Sequence, residues 1–201
     1  MRLGLYGGTF DPVHFGHLLL AEQCREQCAL DEVWFLPAHQ APHKRTTAST
    51  PAKARVEMLE FAIAGYPQFK VSRIEIQRGG TSFTVDTLQQ LHDEDPGREI
   101  FFLIGGDSLY DLPTWREPER IAALATIVAV NRGDRPLPGP DGLRASLGDL
   151  IASRLKTVTM PGIDLSASDI RRRDREGRSI RFMVPRAVEV YIAEHKLYRD
   201  A

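Results

Sequence analysis

His14 and His17 stand three residues apart in GGTFDPVHFGHL, the stretch from Gly7 to Leu18. If a helix has begun by His14, that spacing puts both imidazoles on one face. A helix start offers unpaired N–H groups and the positive end of a dipole, which makes it a ready anion site. Two imidazoles added there suit a polyphosphate. Gly7 and Gly8 let the backbone turn sharply and come close to a ligand. Gly16 leaves room over the first turn, and Pro12 biases Asp11 toward extended geometry. One histidine at a helix start would read as a cap that packs; Gly-Gly, Pro and a histidine pair together weigh for the anion.

Further groups with chemistry recur in similar places. Leu165-Ser166-Ala167-Ser168-Asp169-Ile170-Arg171 puts two hydroxyls and a guanidinium around a second helix start, a second phosphate cradle. Asp107, after Gly105-Gly106, can accept hydrogen bonds from ribose hydroxyls. Lys44 lies in a polar loop with His39, His43 and Arg45, and Arg132 follows an apolar run, where a phosphate or carboxylate could sit. Arg171, Arg172, Arg173, Arg175, Arg178 and Arg181 form a basic run interrupted by Asp174 and Glu176, which reads as a solvated helix face. Cys24 and Cys28 have no second cysteine pair to complete a zinc site and read as small apolar residues on a helix.

Alternating elements must position these groups. Apolar runs at 3–6, 31–37, 99–104 and 126–130 read as buried strands, with a shorter one at 157–160 and an alternating one at 69–76. Helical spacing covers 18–30, 52–65, 83–92, 143–155 and 185–198, with Val56, Leu59, Ala62 and Ile63 facing inward in the second. Thr81 or Ser82 is the expected cap of the third. The Pro- and Gly-rich stretch 133–142 reads as a mobile surface loop. The expectation is a single α/β domain over 1–201, a doubly wound Rossmann-type parallel sheet with helices on both faces and right-handed crossovers. In such a sheet one crevice collects strand ends and helix starts.

Gly8, Phe10, Pro12, His14, Gly16 and His17 match G-x-F-x-P-x-H-x-G-H position for position, and the chain thereby resembles the HxGH nucleotidylyltransferase superfamily. Pro42-His43-Lys44, Ser82-Phe83-Thr84-Val85-Asp86-Thr87-Leu88, Gly105-Gly106-Asp107, Trp115-Arg116-Glu117 and the Ser166–Arg171 cradle extend the likeness to the nicotinate-nucleotide adenylyltransferase family. In the cradle Leu165 and Ser168 replace the superfamily's Ile and Thr, which keeps the apolar anchor and the hydroxyl. The resemblance implies ATP and nicotinate mononucleotide as partners, and deamido-NAD and pyrophosphate as products.

It further implies that His14, His17, Lys44 and Arg171 are catalytic. ATP would meet Gly7, Gly8, Thr9, Phe10, His14, His17, Gly106, Asp107, Ser166, Ser168 and Arg171. Nicotinate mononucleotide would meet Lys44, Ser82, Phe83, Thr84, Trp115 and Arg132, with the ring against Trp115. Mg²⁺ would be held mainly by substrate phosphates, with no protein carboxylate cage. Nicotinamide mononucleotide, phosphopantetheine or a cytidylyl acceptor stay open as rivals, as does a nucleotide-sensing module without turnover.

Composition bounds the remainder. The 201 residues are 42% hydrophobic and 26% charged with a net charge of −1. That is ordinary globular composition and gives no electrostatic case for nucleic acid or a membrane surface. No apolar run approaches the roughly 18–20 residues of a membrane span, and the chain begins with a strand rather than a leader pattern. The expected place is the cytoplasm; a homo-oligomer is left open.

Overall fold

The computed structural model describes residues 1–40, 50–131 and 140–199. Six strands form one parallel sheet: β1 (Arg2–Gly8), β2 (Glu32–Pro37), β3 (Phe69–Val71), β4 (Glu99–Gly105), β5 (Thr126–Asn131) and β6 (Leu155–Thr159). Their order is β3-β2-β1-β4-β5-β6, the doubly wound order whose switch point lies between β1 and β4. Among the described residues ten α-helices flank the sheet: α1 (Phe15–Gln27), α2 (Ala52–Ile63), α3 (Ile74–Arg78), α4 (Thr84–Glu94), α5 (Gly106–Asp111), α6 (Pro118–Leu124), α7 (Pro140–Leu147), α8 (Asp149–Ser153), α9 (Ala167–Arg175) and α10 (Arg186–His195). Among the described residues no helix is long and apolar enough to cross a membrane.

The continuous apolar strands are sorted by the period of two. In β4, Phe101 and Leu103 join a core with α1, α2, α9 and α10, whereas Ile100, Phe102 and Ile104 join a second core with α4 to α8. Both faces of the sheet are thus covered, as a parallel sheet requires. Each fully buried Leu, Ile, Val or Phe contributes about 1.5–3 kcal/mol. Cys24 and Cys28 are free thiols inside the first core; burial pushes the Cys24 thiol up, so both act as small apolar residues. The arginine run on and after α9 is largely exposed and partly ion-paired, Arg172 to Asp169 and Arg178 to Glu176.

Two departures from the sequence pattern have physical causes. The strand expected over 69–76 stops at Val71, and residues 74–78 form α3. There the alternation misleads: the buried member is Glu75, drawn inward by a hydrogen bond from the Thr87 hydroxyl at 2.8 Å. The helix expected over 143–155 is two helices, broken at Gly148 with φ +80°, where residue 155 already opens β6. Gly105 ends β4 and caps a short helix, α5, that begins at Gly106. The loop expected over 133–142 lies mostly outside the described residues, and α7 begins at Pro140.

Candidate active site

The site forms at the carboxyl ends of β1 and β4. Behind Gly8 the chain folds its own aromatic ring back: a Cβ on Gly8 would lie 2.9 Å from the Phe10 ring, which is 2% exposed and so has nowhere to go. Phe10 adopts φ +50°, and the Asp11–Pro12 bond is cis. The Phe10 ring stands edge-on to His17 at 5.1 Å and to Tyr6 at 5.4 Å. It therefore supports His17 from the core and leaves only its backbone for a ligand.

His14 is the N-cap of α1, in extended geometry. It is 4% exposed and its ring stacks on that of His17 with centroids 3.7 Å apart. The room beside Gly16, expected to serve a ligand, is filled by the His14 ring, 3.1 Å from where a Cβ would stand. The backbone N–H of His14 donates to His17 Nδ1 at 3.2 Å. A nitrogen that accepts cannot carry the proton, so the neutral His17 ring is protonated at Nε2 and offers a hydrogen-bond donor there. The start of α1 is less open than the sequence suggests, because the Phe15 N–H already donates to the Met183 carbonyl at 3.1 Å. Imidazole is therefore more exposed to a ligand at this helix start than the first backbone amide is.

Ser166, rather than Ser168, caps α9: its hydroxyl accepts from the Asp169 N–H at 3.1 Å. Ser168 instead accepts from Arg171 Nη2 at 3.3 Å, while Arg171 Nη1 donates to the Asp11 carbonyl at 2.6 Å. Arg171 is thus seated on the same loop that delivers the histidine pair.

A cavity of about 370 Å³ opens on the other side of the β1 end. It brings together Gly7, Gly8 and Thr9 with Phe83, Thr84 and Trp115. Trp115 stands edge-on to Phe102 at 5.9 Å, and the Arg116 guanidinium lies 4.9 Å over the Phe83 ring. The Ser82 cap expected for α4 is not made: Phe83 is the N-cap and no side chain caps the helix. The Ser82 hydroxyl, 8% exposed, accepts from the His39 N–H at 3.0 Å and donates to the Glu75 carboxyl. Burial raises the affinity of Glu75 for its proton, against the hydrogen bonds from Thr87 and Ser82 and the charge of Arg78. With its capping hydroxyl engaged elsewhere, α4 presents an uncapped helix start to this cavity.

Gly106 begins α5 at the end of β4, and Ser108, two residues on, reaches the cavity wall. The side chain of Asp107 and all of Lys44 and Arg132 lie outside the described residues. No group of three or more His, Cys, Asp or Glu that could hold a metal ion occurs among the described residues. His17, Ser168 and Arg171 are donors, the Asp11 carboxylate is engaged by Tyr198 and Thr50 and Glu75 stands alone in the cavity wall, a set that fits a cation carried in by phosphate oxygens better than one held by a carboxylate cage.

Arg55 and Tyr198 carry no motif, yet they hold this region together. Arg55 on α2 is 1% exposed. Its guanidinium donates to the carbonyls of Ala38 at 2.8 Å, Thr9 at 2.9 Å and Thr50 at 3.0 Å. Burial weakens its hold on its proton and the Asp11 carboxylate strengthens it. Asp11, 5% exposed, accepts from the Tyr198 hydroxyl at 2.9 Å and from the Thr50 N–H at 3.0 Å.

Comparison with known proteins follows the same lines. The cytidylyltransferase-like family model matches residues 5–173. A relative from Thermomicrobium roseum, named as a nicotinate-nucleotide adenylyltransferase, is 46% identical, covering 98% of this chain and 92% of that one. A relative of the same name from Thermus thermophilus is 47% identical, covering 99% and 100%. The solved Plasmodium falciparum nicotinic acid mononucleotide adenylyltransferase complexed with NaAD superposes with a TM-score of 0.81 at 17% identity, over 98% of this chain and 97% of that one. A second structure of that enzyme, complexed with APC, gives 0.76 at 17% identity, over 98% and 96%. At that identity the superpositions speak for the fold.

Proposed function

We propose, for a chain that belongs to the cytidylyltransferase-like family and within it to the nicotinate-nucleotide adenylyltransferases, that it transfers the adenylyl group of ATP to nicotinate mononucleotide. The observation that carries the choice of acceptor is the uncapped start of α4, opening between Phe83 and Trp115 into the cavity beside Gly7 and Gly8. Unpaired amides at the positive end of a helix favour a carboxylate over a carboxamide, and two aromatic walls suit a flat ring.

A phosphate oxygen of the mononucleotide attacks the α-phosphorus of ATP and forms a new P–O bond. The bond from that phosphorus to the bridging oxygen of the β-phosphate breaks, and its electron pair leaves with pyrophosphate. The attacking phosphate is anionic at neutral pH, so no general base is required. The barrier lies in bringing anions together and in charge growing on the leaving group. Positioning and electrostatic stabilisation lower it. His17 donates from Nε2 to the leaving phosphates, with His14 stacked beneath it. Arg171 supplies a guanidinium, and Ser166 and Ser168 border the second cradle. Gly106 and Asp107 serve the ribose, Lys44 the mononucleotide phosphate, and Arg132 an anionic group of the acceptor. Mg²⁺, when bound mainly through substrate phosphates, would supply charge neutralisation.

The test is pyrophosphate release from ATP and Mg²⁺ with nicotinate mononucleotide, and in parallel with nicotinamide mononucleotide and phosphopantetheine. Loss of a hydrogen bond to a charged group is worth about 1.5–3 kcal/mol, so the acid should lead the amide in kcat/KM by about 10- to 100-fold. Preference for another acceptor keeps the adenylyl transfer and overturns the roles of Phe83, Thr84 and Trp115. ATP binding without release for any acceptor favours a sensing module. Trp115→Ala should raise the KM for the mononucleotide about tenfold through the lost ring contact, with the KM for ATP held; equal effects on both would remove Trp115 from the acceptor site.

A further inference from the structure

The cavity among Phe15, Leu18, Tyr66 and Phe69 has nothing beside it that specifies an occupant, and the acidic surface around Asp86, Asp93 and Glu94 is a solvated helix face. A buried polar chain runs from Tyr198, past the end of α10, to Arg171 on α9. Tyr198 is 3% exposed and its ring belongs to the first core. Its hydroxyl reaches Asp11 Oδ1, the other carboxylate oxygen takes the Thr50 N–H, and the carbonyl of that same residue takes Arg171 Nη1. A side chain that no phosphate meets therefore fixes the residue on which the guanidinium rests. Burial and the neighbouring Asp11 carboxylate both raise the affinity of the Tyr198 phenol for its proton, so it remains a donor. Nothing in this chain of contacts is needed to fill volume, since a phenylalanine would pack equally well.

We propose that Tyr198 is a positioning residue for the transfer, its buried hydroxyl locking the Asp11 carboxylate and so setting the carbonyl on which Arg171 is seated. The inference rests on the adenylyl-transfer reading above. It acts through Arg171 and therefore predicts a coupling that a purely structural residue would not produce.

The experiment is a cycle of Tyr198→Phe, Arg171→Ala and the double variant, with pyrophosphate release measured against nicotinate mononucleotide well below each melting midpoint. Tyr198→Phe keeps the ring and its packing, so the variant folds. In the parent background it should lower kcat about 5- to 20-fold with both KM values within about twofold, since a misplaced guanidinium weakens the transition state more than the ground state. In the Arg171→Ala background the same change should cost less than about twofold. An unchanged kcat in Tyr198→Phe overturns the proposal, as does an equal loss in both backgrounds. Failure of the unsubstituted protein to release pyrophosphate refutes the reading of the reaction instead, and the two results are distinct.

Discussion

His17→Ala lowers kcat by about 10²–10³, the loss that follows removal of one preorganised donor to a developing anion. The fold survives, because His17 is only partly buried at the first turn of α1 and the aromatic group of Tyr6, Phe10 and Phe35 remains in contact without it. His17→Gln retains a neutral donor and should keep more activity than alanine. That ordering follows from the hydrogen bond between the His14 N–H and His17 Nδ1, which makes the outward nitrogen a donor in the uncharged ring. Steady-state pyrophosphate release and a thermal melt check both parts. Near-normal turnover in the alanine variant would take His17 out of the chemistry.

Arg55→Leu should be the most damaging single change to stability, at about 3–5 kcal/mol. Leucine fills part of the space but leaves the carbonyls of Thr9, Ala38 and Thr50 without their donor, and leaves the buried Asp11 carboxylate without the cation beside it. For a chain of this size the melting midpoint should fall by about 10–15 °C. Arg55→Lys keeps the charge but cannot reach three carbonyls with one ammonium, and should fall between. A drop of less than about 3 °C for leucine would mean that water replaces the guanidinium at no cost.

Neither Arg55 nor Tyr198 is legible in the sequence, and the reason is physical. An arginine among Ala54 and Val56 on a helix has the look of a solvated side chain, and its partners are backbone carbonyls from three separate segments, which carry no side-chain signature. The same limit hides the true role of Ser82. Its place before a helix announces a cap, but His39 and Glu75, distant in the chain, claim both sides of its hydroxyl. Glu75 in turn is buried at a position that the local alternation within 69–76 marks as outward.

What local pattern does encode was readable. The continuous apolar runs of β4 and β5 could only be buried parallel strands, and the buried inward positions of α2 are those the helical spacing marks. The histidine pair was recoverable because glycine, proline and histidine at fixed spacing dictate a backbone path. The stack of the two rings, and the carbonyl that already occupies the first amide of α1, depend on tertiary placement of residues such as Met183 and were not.

The two cores divide the labour of the crevice. The histidines, Arg171, Asp11 and Tyr198 lean on the layer built by α1, α2, α9 and α10, whereas Phe83, Thr84 and Trp115 belong to the layer built by α4 to α8. The sheet between them is shared but their packing is not. On the roles proposed above, a substitution packed in the α4 to α8 layer would alter the acceptor side without disturbing the packing behind the histidine pair and Arg171. The two sides of the crevice can thus be perturbed separately, each through the core that backs it.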